Sequence, residues 1–254
     1  LGWDDVVLPD ETAEQLREIV LFAAYHQRVL DEWGFRAKFP YGRALSALFY
    51  GPPGTGKTMM AAVIARELGM ELFRVDLSQM VSKYIGETEK NLARAFDEAI
   101  YHGAILLFDE ADSLFSKRTQ VQTSVDRYAN LEVNFLLQRM EEFEGVTILT
   151  TNFETAIDDA FKRRLRFRVH FPFPDAEQRA ELWRVMLPPE AALQDDIDFA
   201  ALGRKFEMSG GNIKNAVFRA AFLAMEADEA IGTDVLWAAG LREYKELGRL
   251  TQDT

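Results

Sequence analysis

The chain is expected to fold as an α/β domain with a mainly parallel sheet, followed by a smaller all-helical part. Three observations predict this: short apolar runs alternate with segments of helical period from Ala44 onward, each crossover between runs has room for a helix, and after Phe171 no strand-like run recurs. With 254 residues, 48% of them hydrophobic, the chain can bury a core of that size.

Taken in order, Ala13, Leu16, Ile19, Val20 and Ala23 form a helical stripe behind a start at Asp10, and "WGFRAKFPYGR" reads as a loop. The runs "ALSALFY", "ELFRVD", "AILLF", "VTILTT" and "RFRVHF" read as five strands. Between the second and third lies "TEKNLARAFDEAI", a helix whose Leu92, Ala95, Phe96 and Ala99 share one face. "SKRTQVQTSVDRYAN" reads as a polar loop. From "FPFPDAEQ" onward, "AEQRAELWRVML", "IDFAALGRKF", "NIKNAVFRAAFLAMEADEA" and "TDVLWAAGLREYKEL" are helical. The expected division is residues 1–173 for the α/β part and 174–254 for the helical part.

Composition narrows the function. With no cysteine there is no disulfide framework, and His26, His102 and His170 are too scattered to suggest a zinc site. A net charge of -12 disfavours a nucleic-acid surface and suits a protein partner. No apolar run approaches membrane-spanning length and no leader opens the chain, so a cytoplasmic protein without membrane insertion is expected. An opening on Leu1 rather than methionine is expected of a piece of something longer.

The chemistry starts at "LFYGPPGTGKT", a strand end followed by Gly51, four residues, then Gly56, Lys57 and Thr58 at the head of "MMAAVIAREL". This is a P-loop in its required context, and it makes the fold class an α/β P-loop NTPase, a three-layer αβα parallel sheet followed by a small all-α lid. Backbone amides of Pro53 to Met59 (Pro53, which lacks one, by shape alone) would cradle phosphates: Gly54, Thr55, Gly56, Lys57, Thr58 and Met59. Lys57 adds a full charge and Thr58 a hydroxyl for Mg²⁺. The competing reading is a mere glycine-rich turn. "AILLFDEADSLF" places Asp109 and Glu110 at the carboxyl end of a strand, where ligands of open α/β sheets bind. Asp109 would hold Mg²⁺ through water and Glu110 would polarise the attacking water, unless both merely cap the strand. Asp109 to Asp112 also spell the name of the DEAD-box RNA helicases, but those need two such domains and motifs that this chain lacks. No Asn-Lys-x-Asp element is present to read guanine, so ATP is the expected nucleotide.

"GPPGTGKT", "LLFDEAD" and "TTN", in this order, resemble the AAA+ ATPases of the AAA branch, over nearly the whole chain. "AFKRRLRFRVHFPFP" resembles the double-arginine element of katanin, spastin and the ESCRT-disassembling ATPase; a bacterial-type module of the same family also fits. The resemblance implies that Asp5, Val6 and Val7 of "GWDDVV" lead into an adenine pocket and that Asn152 positions the lytic water. It implies that Arg163 and Arg164 are arginine fingers aimed at a neighbour's ATP, a role suited to a planar, permanent charge. The competing reading makes "KRRLRFR" a basic strip or an RNA contact. In the resembling proteins the connection holding Lys83, Tyr84, Ile85 and Gly86 enters the channel of a ring and grips polypeptide, and the loop "SKRTQVQTSVDRYAN" lines the same channel. The alternative for Tyr84 is a hydrophobic staple onto the following helix.

Two departures stand out. Glu141-Glu142-Phe143 replaces the Asp-Gly-Phe of intersubunit signalling, and "MSGGNIKNA" holds no arginine at the second-sensor position. There Gly210 and Gly211 match the packing glycines of the branch, Asn212 stands where aspartate is usual, and Lys214 is expected in solvent. The function implied is that of an Mg²⁺-dependent ATPase acting as a homo-oligomeric, hexameric ring that threads or disassembles protein substrates. A nucleotide-dependent scaffold and a nucleic-acid motor are the alternatives.

Overall fold

A computed structural model describes residues 2–39, 42–77, 87–112, 124–153 and 159–249, with the backbone alone at 124–132 and 159–160. Lys83, Tyr84, Ile85 and Gly86 lie outside the described residues, as does 116–123 of the second loop.

Five strands, β1 (Leu45–Tyr50), β2 (Leu72–Asp76), β3 (Ile105–Asp109), β4 (Val146–Thr151) and β5 (Phe167–His170), form a parallel sheet in the order β2-β3-β4-β1-β5. The three central strands are almost wholly buried, as strands covered on both faces must be. Their alternation sorts two cores. Leu45, Ala47, Phe49, Ile105 and Leu107 pack against α1 (Asp10–Asp31) and α3 (Lys57–Leu68); α2 (Phe35–Lys38) is a single turn between α1 and β1. Leu48, Leu106, Phe108 and Leu149 face the other way, onto α4 (Glu87–His102) and α5 (Ser124–Glu142). All five strands fall where the apolar runs put them.

Two stretches expected as loops are partly helical. Phe35–Lys38 forms α2, entered through Gly34 at φ 74°, a conformation that glycine adopts without strain. Residues 124–130, the second half of the polar loop, are the opening turns of α5. Val133, Leu136, Leu137 and Met140 repeat at helical spacing on a buried face, and the helix they anchor runs back into polar sequence that composition alone cannot distinguish from loop.

A short turn, α6 (Asp159–Lys162), precedes β5. After β5 come α7 (Ala176–Val185), α8 (Phe199–Lys205), α9 (Gly210–Ala227) and α10 (Thr233–Glu246), packed around Trp183, Leu202, Phe206, Ile213, Ala220 and Leu236. Arg179 joins them to the preceding turn, its buried guanidinium donating to Gly203 O at 2.8 Å and Pro174 O at 2.7 Å. Among the described residues no helix is long and apolar enough to cross a membrane.

Candidate nucleotide site

The turn between β1 and α3 is built on left-handed backbone, with φ 74° at Gly54 and 95° at Gly56. Gly56 caps α3, so the first amides of that helix point into the space above the turn, a natural anion site. α9 closes the space from the far side: Gly211 N donates to Gly54 O at 2.9 Å, and a Cβ on Gly54 would stand 2.5 Å from Ser209 Oγ. Ser209 in turn caps α9.

Between turn and helix lies a cleft of about 380 Å³, a size that takes a small molecule. Its apolar end is formed by Val6, Val7, Leu8, Pro174, Leu182 and Met186, and its polar end by Pro53 to Thr58, Met59, Asp109, Glu110 and Asn152. Gly210 and Gly211 line it too. Asp5 does not; its carboxylate accepts from Gly2 N at 2.7 Å in the opening turn. Lys214, expected in solvent, is exposed and yet borders the cleft. Asn212 turns away, bonded to Ser209 and, through Nδ2, to Glu243 of α10 at 3.1 Å.

The polar floor holds two hydrogen-bonded groups, one around Lys57 and Asn152 and one around Thr58 and Asp109. Lys57 Nζ donates to Gly51 O (2.7 Å), Pro52 O (2.8 Å) and Asn152 Oδ1 (3.0 Å). Burial pushes this ammonium down to about 8, against the attraction of Asp112 and Asp109. Thr58 Oγ1 donates to Asp109 Oδ1 at 3.0 Å, and the Thr150 hydroxyl donates to the same oxygen. Asp109 is buried at the end of β3, while Glu110, the next residue, is exposed and held at φ 55°, a rare conformation for a non-glycine residue. Its amide donates to Thr150 Oγ1 at 3.1 Å.

Asp112 is a site residue for which the motifs gave no role. It accepts from Asn152 N at 3.1 Å and Asn152 Nδ2 at 3.1 Å, which turns Asn152 Oδ1 toward Lys57. Its spacing of three from Asp109 is the one local signal that could have marked it.

A hydroxyl and a carboxylate oxygen in contact form the hard donor set that suits Mg²⁺. Among the described residues no group of three or more acidic, His or Cys side chains would cage a metal, so the rest of the ion's shell would come from water and phosphate oxygens.

Arg163 and Arg164 stand elsewhere. Ser46 Oγ donates to Arg164 O at 3.5 Å, beside the amino end of β1 and about 16 Å down that strand from Gly51. Both arginines are exposed, neither lines the cleft, and Arg164 Nε is 3.4 Å from Glu141 Oε1. Phe143 is buried under Phe96, their rings 5.5 Å apart.

The AAA family, described as "ATPase family associated with various cellular activities", matches residues 47–175, the stretch from β1 to the turn before α7. The chain belongs to the AAA family of ATPases. Within it the chain is katanin-like. It is 35% identical over 239 residues to the katanin p60 ATPase-containing A-like 1 protein of Homo sapiens, covering 89% of this chain and 46% of that protein. The same-named proteins of Mus musculus and Danio rerio are 34% and 33% identical, each with 89% of this chain and 47% of theirs covered. The chain thus spans about half the length of the curated relatives it matches. Family membership carries nucleotide binding, and the cleft over the β1–α3 turn is the candidate place for it.

Proposed function

We propose that the chain is the ATP-hydrolysing part of a protein remodeller that works as a homo-oligomeric ring, a hexamer in the resembling proteins, threading or disassembling protein substrates in the cytoplasm. One observation carries this reading: Lys57 bonded to Asn152, and Thr58 bonded to Asp109, line one cleft of small-molecule size. In this reading 1–173 and 174–254 are the two walls. Val6, Val7 and the helical part take the base, and the turn amides with Lys57 take the phosphates. Thr58, and Asp109 through water, would hold Mg²⁺, which would supply positive charge to the phosphates when bound. Glu110 draws the proton from a water whose oxygen attacks the terminal phosphorus as the bond to the bridging oxygen of ADP breaks. Asn152, oriented by Asp112, positions that water.

Arg163 and Arg164 supply the remaining charge from a neighbouring copy; their station at the amino end of β1, away from their own cleft, supports action in trans. The assignment of Lys83, Tyr84, Ile85 and Gly86 to substrate grip rests on the resemblance alone. The acidic balance of the chain supports protein rather than nucleic acid as substrate.

The test is complementation. Lys57→Ala and the pair Arg163→Ala/Arg164→Ala should each lose ATP turnover, by about 10³-fold for the fingers. Mixed, they should recover part of it, and turnover per chain of the parent protein should fall on dilution. A mixture as inactive as its components, with flat turnover on dilution, would remove the shared site.

A further inference from the structure

Asp109 has a partner that the nucleotide chemistry does not require. β2 is an edge strand, paired in register with β3 so that Arg74 lies beside Leu107 and Asp76 beside Asp109. From there Arg74 reaches diagonally along the sheet, its Nη2 standing 2.7 Å from Asp109 Oδ2. The arginine side chain is 62% exposed and the aspartate 5%. The two threonine hydroxyls hold Oδ1, and Thr58 also approaches Oδ2 at 3.3 Å. Thr58, Thr150 and Asp109 line the cleft and Arg74 does not, so the guanidinium reaches the carboxylate from outside the cleft lining. Lys57 spends its donors on two carbonyls and Asn152, which makes Arg74 the cation in ion-pair contact with Asp109 among the described residues.

We propose that Arg74 is a resident counter-ion of the metal-holding carboxylate: it fixes Asp109 in the nucleotide-free chain and, by repelling a dication that the same carboxylate would hold, makes nucleotide affinity less dependent on Mg²⁺. The inference rests on Thr58 and Asp109 being the metal-holding pair. A positive charge paired with the metal-holding carboxylate would oppose the ion while favouring a bare, more negative polyphosphate, so both ends of the linkage move in the same direction. The result is a site that keeps its carboxylate ordered between turnovers and releases the metal more readily. Arg74 is here a positioning residue, acting through Asp109.

The experiment compares affinity for a fluorescent ATP analogue in Mg²⁺ and in EDTA, taking the ratio of the dissociation constant in EDTA to that in Mg²⁺. Arg74→Gln should raise the ratio by about three- to thirtyfold over the parent chain. Arg74→Lys, which keeps the charge, should stay near the parent value, and the difference should shrink as salt is added, because the guanidinium is exposed. Unchanged thermal melts would show that the variants fold. A ratio for Arg74→Gln equal to or below the parent's would overturn the proposal. Asp109→Asn separates the two readings: it should collapse the ratio toward one. If it does so while Arg74→Gln changes nothing, the counter-ion fails and the metal pair stands. If Asp109→Asn leaves the ratio untouched, both fall.

Discussion

Burial of the Lys57 ammonium, which holds it near 8 against the attraction of Asp112 and Asp109, gives the site a pH signature. A bound polyphosphate favours the charged form, so binding takes up a proton wherever the free chain has lost one. Affinity for ATP should therefore hold up to about pH 8 and fall by about tenfold between pH 7 and 9. For folding of the nucleotide-free chain, the unfolded lysine keeps its proton up to its ordinary value of 10.5, whereas the folded one gives it up near 8. The unfolded chain therefore binds more protons between those values, and this group's contribution to stability rises as pH goes from 8 to 10.5. Titrations at pH 7, 8 and 9 check the affinity, with Lys57→Arg, always charged, giving a flat profile; a flat profile for the parent chain would contradict it. That Lys57, Thr58 and Asp109 would meet at one cleft was legible in the sequence because their placement depends on position within one turn and one strand end. Asp112 and Arg74 were not, because each acts on a group from another element and nothing local marks the pairing.

At the scale of elements, the contact that shapes the cleft is between the turn before α3 and the N-terminus of α9. Gly54 meets two demands there: a φ of 74°, and a space that ends on Ser209 Oγ, 2.5 Å from where a Cβ would be. Gly54→Ala should lose about 1–3 kcal/mol of stability and about tenfold or more in nucleotide affinity, since the turn can relax only by moving its amides. Removing the hydroxymethyl group that the new Cβ would strike, as Ser209→Gly, should relieve the steric part and leave the backbone part. Thermal melts of the two single variants and the double variant would then be non-additive. Strict additivity would mean that turn and helix do not press on each other. The three central strands were readable in advance because an apolar run buried on both faces has few other structures open to it. The start of α5 was not, because its polar composition was read together with the loop before it, although Val125, Tyr128 and Ala129 already stand at helical spacing.

For the whole molecule, the exposed apolar surface bears on assembly. Phe218, Phe222 and Met225 are 66%, 65% and 80% exposed at helical spacing on α9, with the two phenyl rings 5.1 Å apart in an edge-to-face pair. A separate patch of Leu21, Tyr25, Trp33, Phe35 and Phe39 flanks α1 and α2. Two different patches on one chain suit a head-to-tail contact, in which unlike surfaces meet and a ring can close; a two-fold dimer would need only one surface that matches itself. Phe218→Glu with Phe222→Glu should therefore shift the chain to smaller species in sedimentation velocity with ATP present. Its melting temperature should change little, because neither side chain belongs to the core around Trp183 and Phe206. If Arg163 and Arg164 act in trans as proposed, ATP turnover should fall with the loss of assembly. A variant that assembles as before would show that the α9 face serves some other partner, and one that is monomeric yet fully active would show that each cleft is complete without a neighbour.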